Sequence, residues 1–351
     1  MSRRETVPLG WVDCPSGELV VIDGGHLGLW SGDGSPAAVD PELLGIHDPK
    51  LAADVAAGSD FVIAGPDADA AAVSFDRQPG RTIYDIAASW GAGLREDFAA
   101  HCRKHGLDAR LDELPGRVPH RERVRRCAAD CGGGFLLHGV PVVAVGGLPR
   151  DRALPVLGTV AEDDEYGSWA DVHVTVSEAP AVRSVELGVI GVDWARVLLG
   201  DADALGSWEH EESLDGLADV AFWGRHADEA AAVFAAPELG EPGEEGVRGW
   251  RGLGLAEALE TGRSVLRWKA EDPSRGLAVD FRPHSDHWRL MRGIRGSEVE
   301  ATDIEVGGAR VFGAMTGVGD GYFPVRADLD AEGGLVAVRV VLAEPEGDDA
   351  R

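Results

Sequence analysis

Cys102, His105, Cys127 and Cys131 are the side chains of this chain best suited to hold a soft metal. His101 and His105 lie four apart, as do Cys127 and Cys131, so each pair shares one face of a helix. Two such helices packed antiparallel could supply the four nitrogen and sulfur ligands that tetrahedral zinc takes. The spacing is not the Cys-x-x-Cys of a metal knuckle. The plainer reading makes the cysteines core residues and leaves the histidines at the surface. A second group, His284-Ser285-Asp286-His287 after Asp280, could serve a catalytic or metal role. Placed before Trp288 and Met291, it reads better as a helix start, with Ser285 or Asp286 as the N-cap. Gly317-Val318-Gly319-Asp320-Gly321 imitates a phosphate loop but has no lysine and leads into a strand. It is read as a tight turn in which Asp320 bonds nearby amides. No nucleophile elbow, phosphate loop with its lysine, or zinc helix is found.

The elements that would position these groups follow from periodicity. Leu19 to Ile22 is a β-branched strand closed by Asp23-Gly24-Gly25, and Phe61 to Ile63 is another short strand. Leu94 to His105 has helical spacing and Gly106 to stop it. Pro119 to Cys131 reads as a second helix ended by Gly132-Gly133-Gly134. Gly249 to Gly254 reads as a turn before a helix at Leu255 to Glu260. Ala309 to Met315, Tyr322 to Asp328 and Leu335 to Leu342 are strands, the last two joined by a glycine-containing hairpin loop. The basic stretch from Arg103 to Arg126 is read as a solvated helix face or a contact for the other half of the molecule.

The chain also matches itself in three ordered blocks. Leu9-Gly10, Asp23, Leu27-Gly28 and Trp30 recur at Leu187-Gly188, Asp201, Leu205-Gly206 and Trp208, an offset of 178. Asp60 to Gly65 and Ala68-Asp69 recur at Asp219 to Gly224 and Ala227-Asp228, an offset of 159. Leu154-Pro155-Val156 recurs as Phe323-Pro324-Val325, an offset of 169. Such order predicts duplication of a domain, with residues 1–180 as the first copy and 181–351 as the second. The expected fold is α+β, two similar domains, each a mainly antiparallel sheet with helices on one side. Trp30 and Trp208 should anchor the two cores, while Trp223, Trp250 and Trp268 are expected at an interface.

Composition narrows the function classes. The 351 residues carry 61 acidic and 33 basic side chains, a formal charge of -28. That field repels nucleic-acid backbones and anionic lipid, and it favours a basic protein partner. No apolar run is long enough to span a membrane. The first residues lack the apolar stretch of a secretory signal, so a cytoplasmic location is expected.

Thr316-Gly-Val-Gly-Asp-Gly-Tyr-Phe-Pro-Val325 followed by Asp330-Ala-Glu-Gly-Gly334 and a β-rich run resembles the closing segment of a family of bacterial β-rich domains without established activity. Gly10-Trp11-Val12-Asp13, with Leu27-x-x-Trp30-x-Gly32, is similar to the opening of immunity proteins of polymorphic toxin systems. Gly17-Glu18 stand where those carry a double glycine and proline. The second resemblance implies an acidic, non-catalytic binder. The expected function is therefore a cytosolic protein-binding factor, an immunity or inhibitor protein for a basic partner. The alternatives are a metal-dependent enzyme using the Cys/His residues with zinc, and a developmental or scaffolding protein of a high-GC bacterium.

Overall fold

The computed structural model describes residues 5–129, 132–161, 169–240 and 243–343. The first half runs β1 (Thr6–Val12), β2 (Glu18–Asp23), α1 (Pro49–Ala56), β3 (Ser59–Ala64), α2 (Ala68–Phe75), β4 (Thr82–Ile86), α3 (Gly91–His105), β5 (Arg110–Glu113), α4 (His120–Ala129), β6 (Gly132–Leu137), β7 (Val140–Gly146), β8 (Leu154–Val160) and β9 (Trp169–Thr175). The second runs β10 (Arg183–Val192), β11 (Arg196–Asp201), β12 (Leu217–Trp223), α5 (Ala227–Phe234), β13 (Arg248–Gly254), α6 (Leu255–Ala270), β14 (Ala278–Pro283), α7 (Asp286–Arg295), β15 (Ala301–Val306), β16 (Ala309–Met315), β17 (Gly321–Leu329) and β18 (Leu335–Val341). Apart from α1, the order of strands and α-helices is the same in both halves.

The protein is α+β with antiparallel sheets. One six-stranded sheet has the order β1-β8-β9-β18-β17-β10 and the other β15-β16-β11-β2-β7-β6. Exchanging each strand for its counterpart reverses each order onto itself. The register obeys the same exchange: Val21 pairs with Leu199, 178 residues on, while Leu19 pairs with Asp201 and Asp23 with Val197. The irregularities match too, between Pro8 and Gly10 in β1 and between Glu186 and Gly188 in β10. The copies thus contribute strands to common sheets. Residues 1–180 and 181–351 are repeats in topology, but they are not the compact bodies. Those are Met1–Ser207 with Glu305–Arg351, and Trp208–Ile304, so the division falls inside β15.

In the first unit β10 lies across β7, β2 and β6, while α4 covers β6, β7 and β2. That double cover explains why Leu19 to Ile22 and Val142 to Val145 are continuous apolar runs, fully buried, where a one-sided strand would alternate. Each repeat also carries a three-stranded sheet with helices on it. In the first unit the order is β4-β3-β5, with Phe61, Ile83, Ala71 and Phe98 as its core. In the second unit the order is β13-β12-β14, with Phe222, Ala230, Val265 and Trp268.

Two sequence readings are corrected. Gly132 to Gly134 open β6 and do not close the preceding helix, and Gly249 to Gly254 form β13 and not a turn. Gly249 has φ 152, and a Cβ there would lie 1.9 Å from the carbonyl oxygen of Val220, so strand contact itself demands glycine.

The repeats are tied by a reciprocal pair of buried carboxylates. Asp23 accepts from the amides of Gly25 (2.7 Å), Asp193 (2.7 Å) and Trp194 (2.9 Å), the last two in the β10–β11 turn. Asp201 accepts from Asp203 N (2.9 Å), Ala204 N (3.1 Å), Ser16 N (2.8 Å) and Ser16 Oγ (2.6 Å), Ser16 lying in the β1–β2 turn. Each closes its own turn and holds that of the other repeat. Asp23→Ala and Asp201→Ala should each cost about 3 kcal/mol in urea unfolding, since several buried donors lose their acceptor together. Losses below about 1 kcal/mol would remove this link from the account.

Candidate functional site

The densest group of buried ionisable side chains in the first unit centres on Arg123, whose side chain is fully buried on α4. Its Nη1 and Nη2 donate to Asp85 (2.7 and 2.8 Å), Nη1 also to Leu136 O (2.5 Å), and Nε to Val118 O (3.0 Å). Asp60 Oδ2 stands 3.5 Å from Nη2, and the guanidinium lies 4.2 Å from the Tyr84 ring centroid. Asp60 accepts from Asp85 N (2.7 Å) and Val118 N (2.6 Å), fixing the end of β4 and the approach to α4. Asp85 accepts from His138 N as well (3.0 Å). The partners come from β3, β4, β6 and the segment before α4, and one cation locks these elements together.

Around this centre stand Arg117, His120 and His138. Arg117 Nη2 donates to Val55 O, and its Nη1 is 3.9 Å from Asp85 Oδ1. The rings of His120 and His138 meet edge to face at 5.3 Å. His120 Nδ1 accepts from Ser31 N (3.0 Å), which places the proton of the neutral ring on Nε2. Arg117 Nε, His120 Nε2 and His138 Nε2 are buried with no hydrogen-bond partner among the described residues.

Charge states follow from burial. Burial opposes ionisation of Asp85, but the hydrogen bonds and charge of Arg123 outweigh it and hold its pKa at about 2. Burial raises Asp60, with Arg123 pulling the other way. Burial pushes His138 down to about 4 against the pull of Asp85, and lowers His120 well below its ordinary value. Both imidazoles are neutral at pH 7.

Above the group opens a cavity of about 470 Å³. Asp85, Arg117 and His138 line it together with Tyr84, Ile86 and Trp90, while Leu44, Ile46, Leu51 and Val55 come from the segment between Trp30 and Asp60. The change of offset from 178 to 159 makes this segment 19 residues longer than its counterpart between Trp208 and Asp219. Helix α1 lies in it and has no equivalent in the second repeat.

The second repeat shows what the scaffold needs without that site. Asp219 occupies the place of Asp60 and accepts from Gly252 N (2.8 Å), as Asp60 accepts from Asp85 N. Gly252 and Asp85 both have φ 60. In the turns β15–β16 and β6–β7, Gly307 (φ 57) corresponds to His138 (φ 49). Glycine adopts this left-handed backbone without steric cost, whereas Asp tolerates it and His adopts it at a cost of order 1 kcal/mol. The first repeat thus carries ionisable side chains where the second has glycine.

Residues singled out from sequence are placed elsewhere. Cys102 is buried in the core under α3, and His105 is exposed on the same helix. Cys127 lies 3.8 Å from Gly134 O, and Cys131 lies outside the described residues. Among the described residues no group of His, Cys, Asp and Glu is placed to hold a metal ion. Ser285 is the N-cap of α7, accepting from Trp288 N (3.2 Å). His284 lies between Asp215 (2.9 Å) and Asp219 (3.0 Å) and stacks on Trp288 at 4.0 Å. Burial opposes its charge, but the two carboxylates raise its pKa. Asp320 does bond a turn amide, that of Ala195 (2.9 Å).

Of the three tryptophans expected at an interface, two pack inside the second unit. Trp268 is buried against Phe234 with Arg275 over its face, Trp250 packs on Phe222, and of the three Trp223 is the exposed ring. Trp208 is buried, and Trp30 is half-buried beside His120. The basic stretch is divided. Only Arg117 and Arg123 depart from the sequence reading by being buried among first-repeat partners; Arg121 pairs with Glu18 and with Asp203 of the other half, and Arg125 and Arg126 remain solvated. Sequence reading missed Asp85, Arg117, His120, Arg123 and His138. For Asp85 and His138 the available signal was their alignment against Gly252 and Gly307 of the other repeat.

No family model, curated protein or solved structure matches this chain. No helix among the described residues is long and apolar enough to cross a membrane.

Stability of the first unit should depend on pH through His138. The unfolded ring takes up a proton near pH 6.5 and the folded one only near 4, so stability falls as pH drops through that window. Between pH 7 and pH 5 the loss is about 2 kcal/mol for this residue. His138→Asn, which keeps a residue tolerant of the left-handed backbone, should flatten the dependence by that amount in urea titrations. An unchanged slope contradicts the buried neutral imidazole.

Proposed function

We propose that this protein is a non-catalytic, cytosolic binding protein whose working site is the first-repeat cavity over Asp85, Arg117 and His138. The reading rests on the asymmetry between repeats. At two left-handed positions the second copy has glycine, Gly252 and Gly307, whereas the first has Asp85 and His138 lining one cavity. The additional segment that walls the cavity belongs to the same copy. Strained residues and a loop insertion meeting at one place mark selection for a ligand over the scaffold's own need.

This reading keeps the binder expected from charge and resemblance but changes what is held. A guanidinium at the floor does not suit a basic side chain, so an immunity or inhibitor role would use a different surface for a basic partner. The acidic field would then serve encounter and solubility.

Native mass spectrometry of the protein isolated from its own host provides the test. The expected spectrum shows a noncovalent small-molecule adduct at one per chain, released unchanged on denaturation. A bare protein overturns the binding reading, and a mixture of two adducts related as substrate and product overturns its non-catalytic part.

A further inference from the structure

We infer that the cavity takes a small organic carboxylate with an apolar body, its oxygens set against Arg117 and His138. The inference rests on the preceding reading and supplies the ligand's chemistry.

The polar end of the cavity is short of acceptors. Of the residues lining it, Arg117 carries an Nε–H donor without a partner among the described residues, and His138 Nε2 is likewise buried and unpartnered. Arg117 is a built group and not a surface side chain, since its side chain is 1% exposed. A buried donor left unmatched costs more than a net hydrogen bond returns, so such a cluster calls for an occupant that accepts.

The two carboxylates lining the cavity do not fill that need or strongly oppose an anion. Both oxygens of Asp85 are engaged by Arg123, one also by His138 N. Asp54 is occupied by Ser89 N (2.8 Å) and Ser89 Oγ (2.6 Å). Arg77 adds a second guanidinium at the rim, exposed and without a polar partner among the described residues. A planar guanidinium below and another at the mouth suit a carboxylate better than an amine or an alcohol.

The remaining wall is apolar. Leu44, Ile46, Leu51 and Val55 face Ile86 and the ring of Trp90, itself 64% exposed. A bare inorganic anion would leave this surface in water, whereas a hydrocarbon body covers it.

The test compares molecules of one shape by calorimetry at pH 7: 3-phenylpropanoate, 3-phenylpropanamide and 3-phenylpropylamine. The carboxylate should bind at least about ten-fold more tightly than the amide, the difference a charge-assisted hydrogen bond supplies, and the amine should not bind. Arg117→Gln should abolish the preference. Arg77→Gln, at an exposed position that does not touch the core, should weaken the carboxylate several-fold and leave the amide unchanged. Equal affinity for amide and carboxylate, or preference for the amine, overturns the inference while leaving the cavity a binding site. Carboxylate binding that survives both substitutions undiminished overturns it by placing the anion elsewhere. Absence of binding by all three overturns it as well, and the adduct on the isolated protein then decides separately whether the cavity binds anything.

Discussion

A guanidinium with no exposure to water must be neutralised and hydrogen-bonded where it stands, and Arg123 imposes that requirement on the first repeat. Asp85 and Asp60 meet the charge, while the carbonyls of Val118 and Leu136 take remaining donors. Meeting it fixes the end of β4, the approach to α4 and the β6–β7 turn in one arrangement. Removing either carboxylate would strand a buried cation, a change that costs about 3–5 kcal/mol in comparable cases. The cavity floor is therefore rigid because the ion beneath it permits no alternative.

The duplicated framework separates what the fold requires from what the site requires. Asp60 and Asp219 perform the same task in both copies, accepting from a left-handed residue at the end of the second strand of each small sheet. Asp23 and Asp201 likewise close equivalent turns. These are scaffold residues. Asp85 serves the Arg123 lock of the first repeat, while His138 and the α1 segment are additions to the frame, since the second copy closes the same turns with glycine and a shorter connection. The first copy thus adds to the shared frame a buried guanidinium bound by Asp85 and a walled cavity.

Much of the frame was legible. Apolar blocks such as Leu19 to Ile22 and the recurring Gly-containing turns carry period and punctuation, and their order alone gave the repeat. The sharing of sheets was not legible, because pairing of β2 with β11 depends on contacts between distant strands that no local pattern encodes. The site was hidden for a different reason. Arg117, Arg121 and Arg123 look like a solvated basic helix until their carboxylate partners, far away in sequence, are brought to them. Cys102, His105 and Cys127 misled in the opposite way: helical spacing put them on neighbouring helices, but Cys102 turns inward and His105 outward. Glycine in one copy against Asp or His in the other was the available clue, and it acquires meaning only with the backbone angles.

The claim that His138 is kept for a ligand and not for the fold is tested most directly by His138→Gly, measured for urea stability and for ligand occupancy on one preparation. The account predicts stability at pH 7 that is unchanged or raised by about 1 kcal/mol, because glycine relieves the left-handed backbone, together with loss of the bound molecule. A variant destabilised by about 2 kcal/mol or more that still holds its ligand would show the imidazole serving the scaffold, and would contradict the account.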